Sequence, residues 1–86
     1  MRFDVKQLRT KLGLAQPEFG QLFGVHPMTV SRWERQELTP SPYQHALMTE
    51  FEKAAVKNKV EEELKSLLVA AGVAAAIYFL LKLANK

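Results

Sequence analysis

The chain has 86 residues, of which 48% are apolar and 24% charged, and it contains no cysteine. That is room for one small domain with an appended element, and it excludes a two-domain protein or a disulfide scaffold. A chain this short buries only about 60% of its unfolded surface, so it is expected to lean on helix packing or a partner chain for stability.

The net charge of +3, from 12 Lys plus Arg against 9 Asp plus Glu, permits contact with nucleic acid or an anionic membrane without demanding either. The basic excess sits at the N-terminus, where Arg2, Lys6, Arg9 and Lys11 stand against Asp4. The stretch from Leu14 to Ser41 holds only Arg32 and Arg35 against Glu18, Glu34 and Glu37. No charged segment followed by an apolar one opens the chain, so no secretory signal is expected. With zero cysteine this points to a cytoplasmic setting.

Asp4 ahead of the spacing Val5, Leu8, Leu12 supplies a cap oxygen, and Gly13 can take the left-handed conformation that ends a helix, so a first helix is predicted over 5–12. Pro17 is tolerated in the first turn of a short second helix that Gly24 closes. Pro27 opens a third, from about 27 to 35, with Val30 and Trp33 as its apolar positions. Leu38 to Pro42 forms a connector, and Ser41-Pro42-Tyr43-Gln44 is a capping box with proline at the first helical position. The fourth helix is predicted to reach Lys57, with Tyr43, Leu47, Phe51, Ala54 and Ala55 as its apolar face. Asn58 with Glu61 is a second possible cap, and a fifth helix is predicted from Lys59 to about Ala84, separate from the fourth or continuous with it. No strand-like alternation or internal repeat occurs.

Two short helices joined by a tight glycine turn, the second opening on small polar residues with an arginine one turn later, have the geometry of a helix-turn-helix. The residues sharpen that reading. Leu8-Arg9, Gly13-Leu14-Ala15-Gln16, Phe19-Gly20, Leu22-Phe23-Gly24-Val25, Thr29-Val30-Ser31-Arg32-Trp33-Glu34-Arg35 and Pro40-Ser41 together resemble the Cro and phage-repressor-like helix-turn-helix family, also called the xenobiotic response element (XRE) family. The resemblance covers about Val5 to Phe51. It implies an all-α, lambda-repressor-like bundle of four helices, here with a C-terminal apolar fifth helix, and a third helix that lies in the major groove.

Carried onto this sequence, the resemblance makes His26, Pro27, Met28, Thr29 and Arg32 the outward positions of the reading helix. Arg32 is the leading base reader, because a guanidinium can donate two parallel bonds to guanine. Thr29 and Met28 suit a thymine methyl or a backbone oxygen. Gln16 matches a family glutamine that binds a phosphate and braces the third helix, while Arg35 and the stretch to Ser41 match a second phosphate contact. Arg9 and Glu34 fall where the family carries an ion pair between the first and third helices.

Three departures stand out. Ala15 and His26 replace the usual Ser, Thr or Asn caps, with His26 read as a makeshift cap or phosphate contact. Gln36 replaces a Gly or Asn, at a cost if a positive φ is needed there.

Taken singly, Arg32 is as well explained as a solvated side chain, Trp33 is a packing residue, and Val30, Phe19, Leu22 and Leu47 are core under any helical reading. His26 and His45 are too few and too distant for a metal site. No nucleophile with a base, no phosphate loop and no paired acids support an enzyme, and no cofactor or small-molecule ligand is implied. Glu61, Glu62 and Glu63 read as a solvated helix start.

The tail is the open part. Leu67 to Leu81 carries no charge and as one helix would measure about 22 Å, against about 30 Å for a bilayer core. Lys65 and Lys82 could snorkel, so an anchor is carried as the third possibility. Val60, Leu64, Leu67, Ala71, Ala74, Tyr78 and Leu81 alternate by four and three, the seam of one helix along another, and Val69, Val73, Ile77 and Leu80 form a second stripe. Subunit pairing through Leu64, Leu67, Ala71, Ala74, Tyr78 and Leu81 ranks first, and packing within the monomer second.

The expectation is a DNA-binding domain over 1–57 with a dimerising helix over 58–86, acting as a homodimeric transcriptional regulator on a palindromic operator in duplex DNA. The alternatives are a protein-interaction module of the same shape and a membrane-tethered regulator.

Overall fold

The computed structural model describes residues 3–85, which form α1 (Val5–Leu12), α2 (Gln16–Phe23), α3 (Pro27–Glu34), α4 (Pro42–Lys57), α5 (Glu61–Ala70) and α6 (Val73–Ala84). Arg2, part of the basic N-terminal segment, lies outside the described residues.

The local start and stop signals act as anticipated in the first half. Asp4 accepts from the Gln7 N–H at 2.9 Å, and Gly13 ends α1 in the left-handed region at φ 73°. Ser41 Oγ accepts from the Gln44 N–H at 3.1 Å while Gln44 Oε1 takes the Ser41 N–H at 2.9 Å, closing the capping box that launches α4. The buried face of α4 is Met48, Phe51 and Ala54, with Leu47 and Ala55 half-buried, whereas Tyr43 stands exposed. Tyr43 lies in the first turn, off the stripe spaced three and four around Met48, Phe51 and Ala54.

The C-terminal segment departs from the single predicted helix in two places. Asn58 does not cap α5. It ends α4, its side-chain Nδ2 donating to the Ala54 carbonyl at 3.1 Å, and α5 starts at Glu61 with no side-chain cap.

Gly72 then breaks the run into two helices. Its φ of 98° and ψ of 179° lie in a region that only glycine occupies readily, and the Leu67 carbonyl accepts from both the Ala71 and Gly72 N–H groups as α5 closes. The break resets the helical phase, so the four-and-three alternation from Val60 to Leu81 does not line one face. Val60, Leu64 and Leu68 are buried from α5 and its entry, and Ala76, Leu80 and Ala84 from α6. The 67–81 stretch is thereby divided, and among the described residues no helix is long and apolar enough to cross a membrane.

The helices share one hydrophobic core running from Val5 to Ala84, so the segment after residue 57 is built into the same core as the segment before it. The α6 helix packs along α4 and also against α5 and α2, and α5 packs against α1. Phe23 sits at the centre of an aromatic cluster, 5.0 Å from Phe19, 5.7 Å from Trp33 edge-on, and 5.6 Å from Phe51 between ring centroids. That cluster ties α2, α3 and α4 together.

Replacing Gly72 with alanine is expected to lower stability by about 1–3 kcal/mol. A Cβ there would meet nothing within 4 Å, so the cost is conformational and not steric. Urea denaturation followed by circular dichroism measures it, and an unchanged midpoint would show that the turn is not under backbone constraint.

Candidate nucleic-acid interface

The α2–α3 unit depends on a close backbone approach. Gly20 lies in α2 where a Cβ would stand 2.7 Å from the Val25 carbonyl oxygen, so a side chain at this position would force the two helices apart. Gly24 ends α2 at φ 66°, and the Val25 N–H donates to the Gly20 carbonyl at 3.0 Å. The chain then turns into α3, which packs on α2 and α1.

Both unusual caps are supplied in other ways. Ala15 has no side-chain acceptor, but Glu18 Oε1 takes the Ala15 N–H at 2.9 Å. His26 does cap α3, its Nδ1 accepting from the Met28 N–H at 3.0 Å. This engages Nδ1 and leaves Nε2 on the exposed side chain to meet an anion or solvent.

The inner face of α3 is Val30 and Trp33, both buried. Its outer face carries exposed His26, Met28 (55% exposed) and Arg32, with Pro27, Thr29 and Ser31 half-buried beside them. Met28 and Arg32 lie close together on the side opposite Val30 and Trp33, with Arg32 about one turn beyond Met28.

Behind this face the Glu34 carboxylate joins three elements. Its Oε2 accepts from Arg9 Nε at 2.5 Å, and its Oε1 accepts from Arg9 Nη2 at 3.3 Å and from Gln16 Nε2 at 3.1 Å. Arg9 Nη1 donates to the Leu14 carbonyl at 3.0 Å. The α1–α3 ion pair is therefore formed, and it also fixes Gln16 at the start of α2. One Gln16 amide proton is held by Glu34, which leaves the other for a phosphate. The part of Glu34 as acceptor for Gln16 was not readable in the sequence, because residues 16 and 34 meet only once α2 and α3 have docked.

The α3 helix ends in a Schellman closure. The Glu37 N–H donates to the Arg32 carbonyl at 2.9 Å and the Gln36 N–H to the Trp33 carbonyl at 3.1 Å, with Gln36 at φ 62°. A positive φ is thus required at the position where this chain has Gln36 in place of glycine or asparagine.

Just outside, Arg35 Nε and Nη2 donate to the Glu37 carboxylate at 2.8 and 3.2 Å, and Arg35 Nη1 donates to Ser31 Oγ. The hydrogen bond first, and then the charge of Arg35, hold the Glu37 carboxyl below the usual carboxylate range, with a smaller contribution in the same direction from Arg32. The same bond raises Arg35 above the ordinary arginine value. Ser41 is exposed at the start of α4, its oxygen engaged by the cap.

The proposed pairing residues lie in different settings. Leu64 is wholly inside the monomer core and has no surface to offer a second chain, a correction to its place in the seam. Leu67 and Leu81 are half-buried, and Ala71, Ala74 and Tyr78 are exposed. Lys82 stands 5.7 Å over the Tyr78 ring.

The helix-turn-helix family model matches residues 5–43, from the first residue of α1 into the first turn of α4, and so takes in α2, the Gly24 turn, α3 and the Arg9–Glu34–Gln16 network. No curated protein and no solved structure matches the chain. That family is one of DNA-binding regulators and not of enzymes. With α3 packed on α2 across a glycine turn and its opposite face open, the match over residues 5–43 supports a DNA-binding helix-turn-helix domain of the Cro and XRE type.

Proposed function

We propose that the protein recognises a specific duplex DNA sequence through α3 and regulates transcription by occupying that operator as a homodimer. The observation that carries this reading is the outer face of α3, where Met28 and Arg32 are exposed and Thr29 is half-buried beside them. Arg32 pairs with guanine, while Met28 and Thr29 meet a thymine methyl or the backbone beside it. Gln16, His26, Arg35 and Ser41 contact phosphates and set the register without specifying sequence. Pro27 fixes the start of α3 and brings no backbone donor of its own.

Pairing is supported by the apolar outer surface of the α5–α6 hairpin, where Val69, Ala71, Ala74 and Tyr78 are exposed. A two-fold dimer reads half-sites about 10 bp apart, or a multiple of that.

Selection from a random duplex pool tests the whole reading. It is expected to enrich a palindrome with that spacing, and an unenriched pool would overturn it. Arg32→Ala is expected to lose about 1–3 kcal/mol of discrimination at one base pair. Gln16→Ala is expected to weaken every sequence alike. Fluorescence anisotropy on cognate and scrambled duplexes separates the two, and an equal loss on both duplexes for Arg32→Ala would remove the base contact.

A further inference from the structure

The exposed charge around α3 is smaller than its arginines imply. Arg32 and Arg35 are the cations of the 14–41 stretch, and one of them already has an anion of its own. The positive φ at Gln36 folds the chain back, so that the Glu37 N–H reaches the Arg32 carbonyl and the Glu37 carboxylate meets Arg35 at 2.8 and 3.2 Å. Arg35 Nη1 is taken by Ser31 Oγ. All three nitrogens of this guanidinium therefore donate within the protein, and its side-on pair, Nε and Nη2, is taken by Glu37, which leaves one N–H on each terminal nitrogen. Arg35 and Glu37 are both at the surface, with about half of each side chain exposed.

We propose that Glu37 is a built-in competitor for the DNA backbone, a residue that determines specificity by neutralising Arg35 and so restraining binding that does not depend on sequence. The inference rests on the DNA-binding reading above. An arginine that approaches a phosphate releases a condensed counterion, and this term underlies binding to any sequence. Where a carboxylate already neutralises the arginine, that gain is reduced, and the carboxylate is itself brought close to the polyanion. The exposed pair is too weak to forbid the phosphate contact. Its effect is to lower the baseline common to all sequences, while Arg32, which is not the partner of Glu37 in the ion pair, keeps its base contact. The depressed pKa of Glu37 keeps the carboxylate charged through the neutral and mildly acidic range, so the restraint persists there.

The test is Glu37→Gln, close to isosteric and at an exposed position, with helicity checked by circular dichroism. Binding to a random duplex is titrated across a salt series for the wild type, Glu37→Gln, Arg35→Ala and the double variant. One whole released counterion sets the ceiling, so Glu37→Gln is expected to tighten random-duplex binding by about twofold to eightfold near 0.1 M salt and to steepen the log–log salt slope by a measurable part of about 0.9. In the Arg35→Ala background the same change is expected to leave the slope unaltered. Wild-type binding with no gain from Glu37→Gln overturns this inference and leaves the DNA-binding reading standing. An equal gain with and without Arg35 also overturns it, since the effect would then be one of net charge alone. No binding by any of the four proteins removes both readings together.

Discussion

Replacing Glu34 with alanine is expected to lower the unfolding free energy by about 1–3 kcal/mol, the cost of stranding the donors that this part-buried carboxylate accepts from. Only 16% of the Arg9 side chain and 8% of the Glu34 side chain are exposed. Without the carboxylate, Arg9 keeps one bond, from Nη1 to the Leu14 carbonyl, and two guanidinium nitrogens are left with little access to water. Gln16 loses its acceptor at the same time.

Against a total stability on the order of 4–13 kcal/mol for a chain of this length, such a loss is a sizeable fraction. Urea titration of Glu34→Ala measures it. A double variant, Arg9→Met with Glu34→Leu, separates the causes, because removing both charges relieves the stranded cation and is expected to recover most of the loss. If the double variant is no better than Glu34→Ala, packing around these side chains and not the unpaired charge sets the cost.

Leu80→Ala is the second large effect, at about 2–5 kcal/mol, the range for a leucine removed from a close-packed interior. Leu80 is fully buried in the core shared by the whole chain, on the α6 helix that packs along α4. Because its partners belong to the same molecule, the loss is expected to be the same at low and high protein concentration. Tyr78, 66% exposed on the same helix, makes the contrast. Tyr78→Ala is expected to leave the monomer within about 0.5 kcal/mol and, under the proposed pairing, to weaken self-association in sedimentation experiments. A Leu80→Ala penalty that grew with dilution would place this side chain between subunits instead.

The first four helices were legible in the sequence because their signals are local. Asp4, Gly13, Gly24, Pro27 and the Ser41–Gln44 box each act on backbone groups within about one turn, and that reach is independent of what the helix later packs against. The Arg9–Glu34 pair spans two helices and came from the family resemblance, which carries tertiary information that periodicity lacks. Tyr43 is exposed although it stands four residues before Leu47, because the stripe that the core selects in α4 is centred on Met48, Phe51 and Ala54, a choice made by the helices packed against it.

Chain order and composition alone determined an all-α protein with a glycine-turned pair of short helices and an arginine one turn into the second. Only the tertiary structure decided the form of the C-terminal segment. A lone glycine within an alanine-rich run costs a helix about 1 kcal/mol, so continuation and reversal at Gly72 lie close in local energy. The burial of Ala76, Leu80 and Ala84 in the common core settles the balance in favour of reversal. The Arg35–Glu37 contact is by contrast local, formed two residues apart where α3 closes with Gln36 at a positive φ.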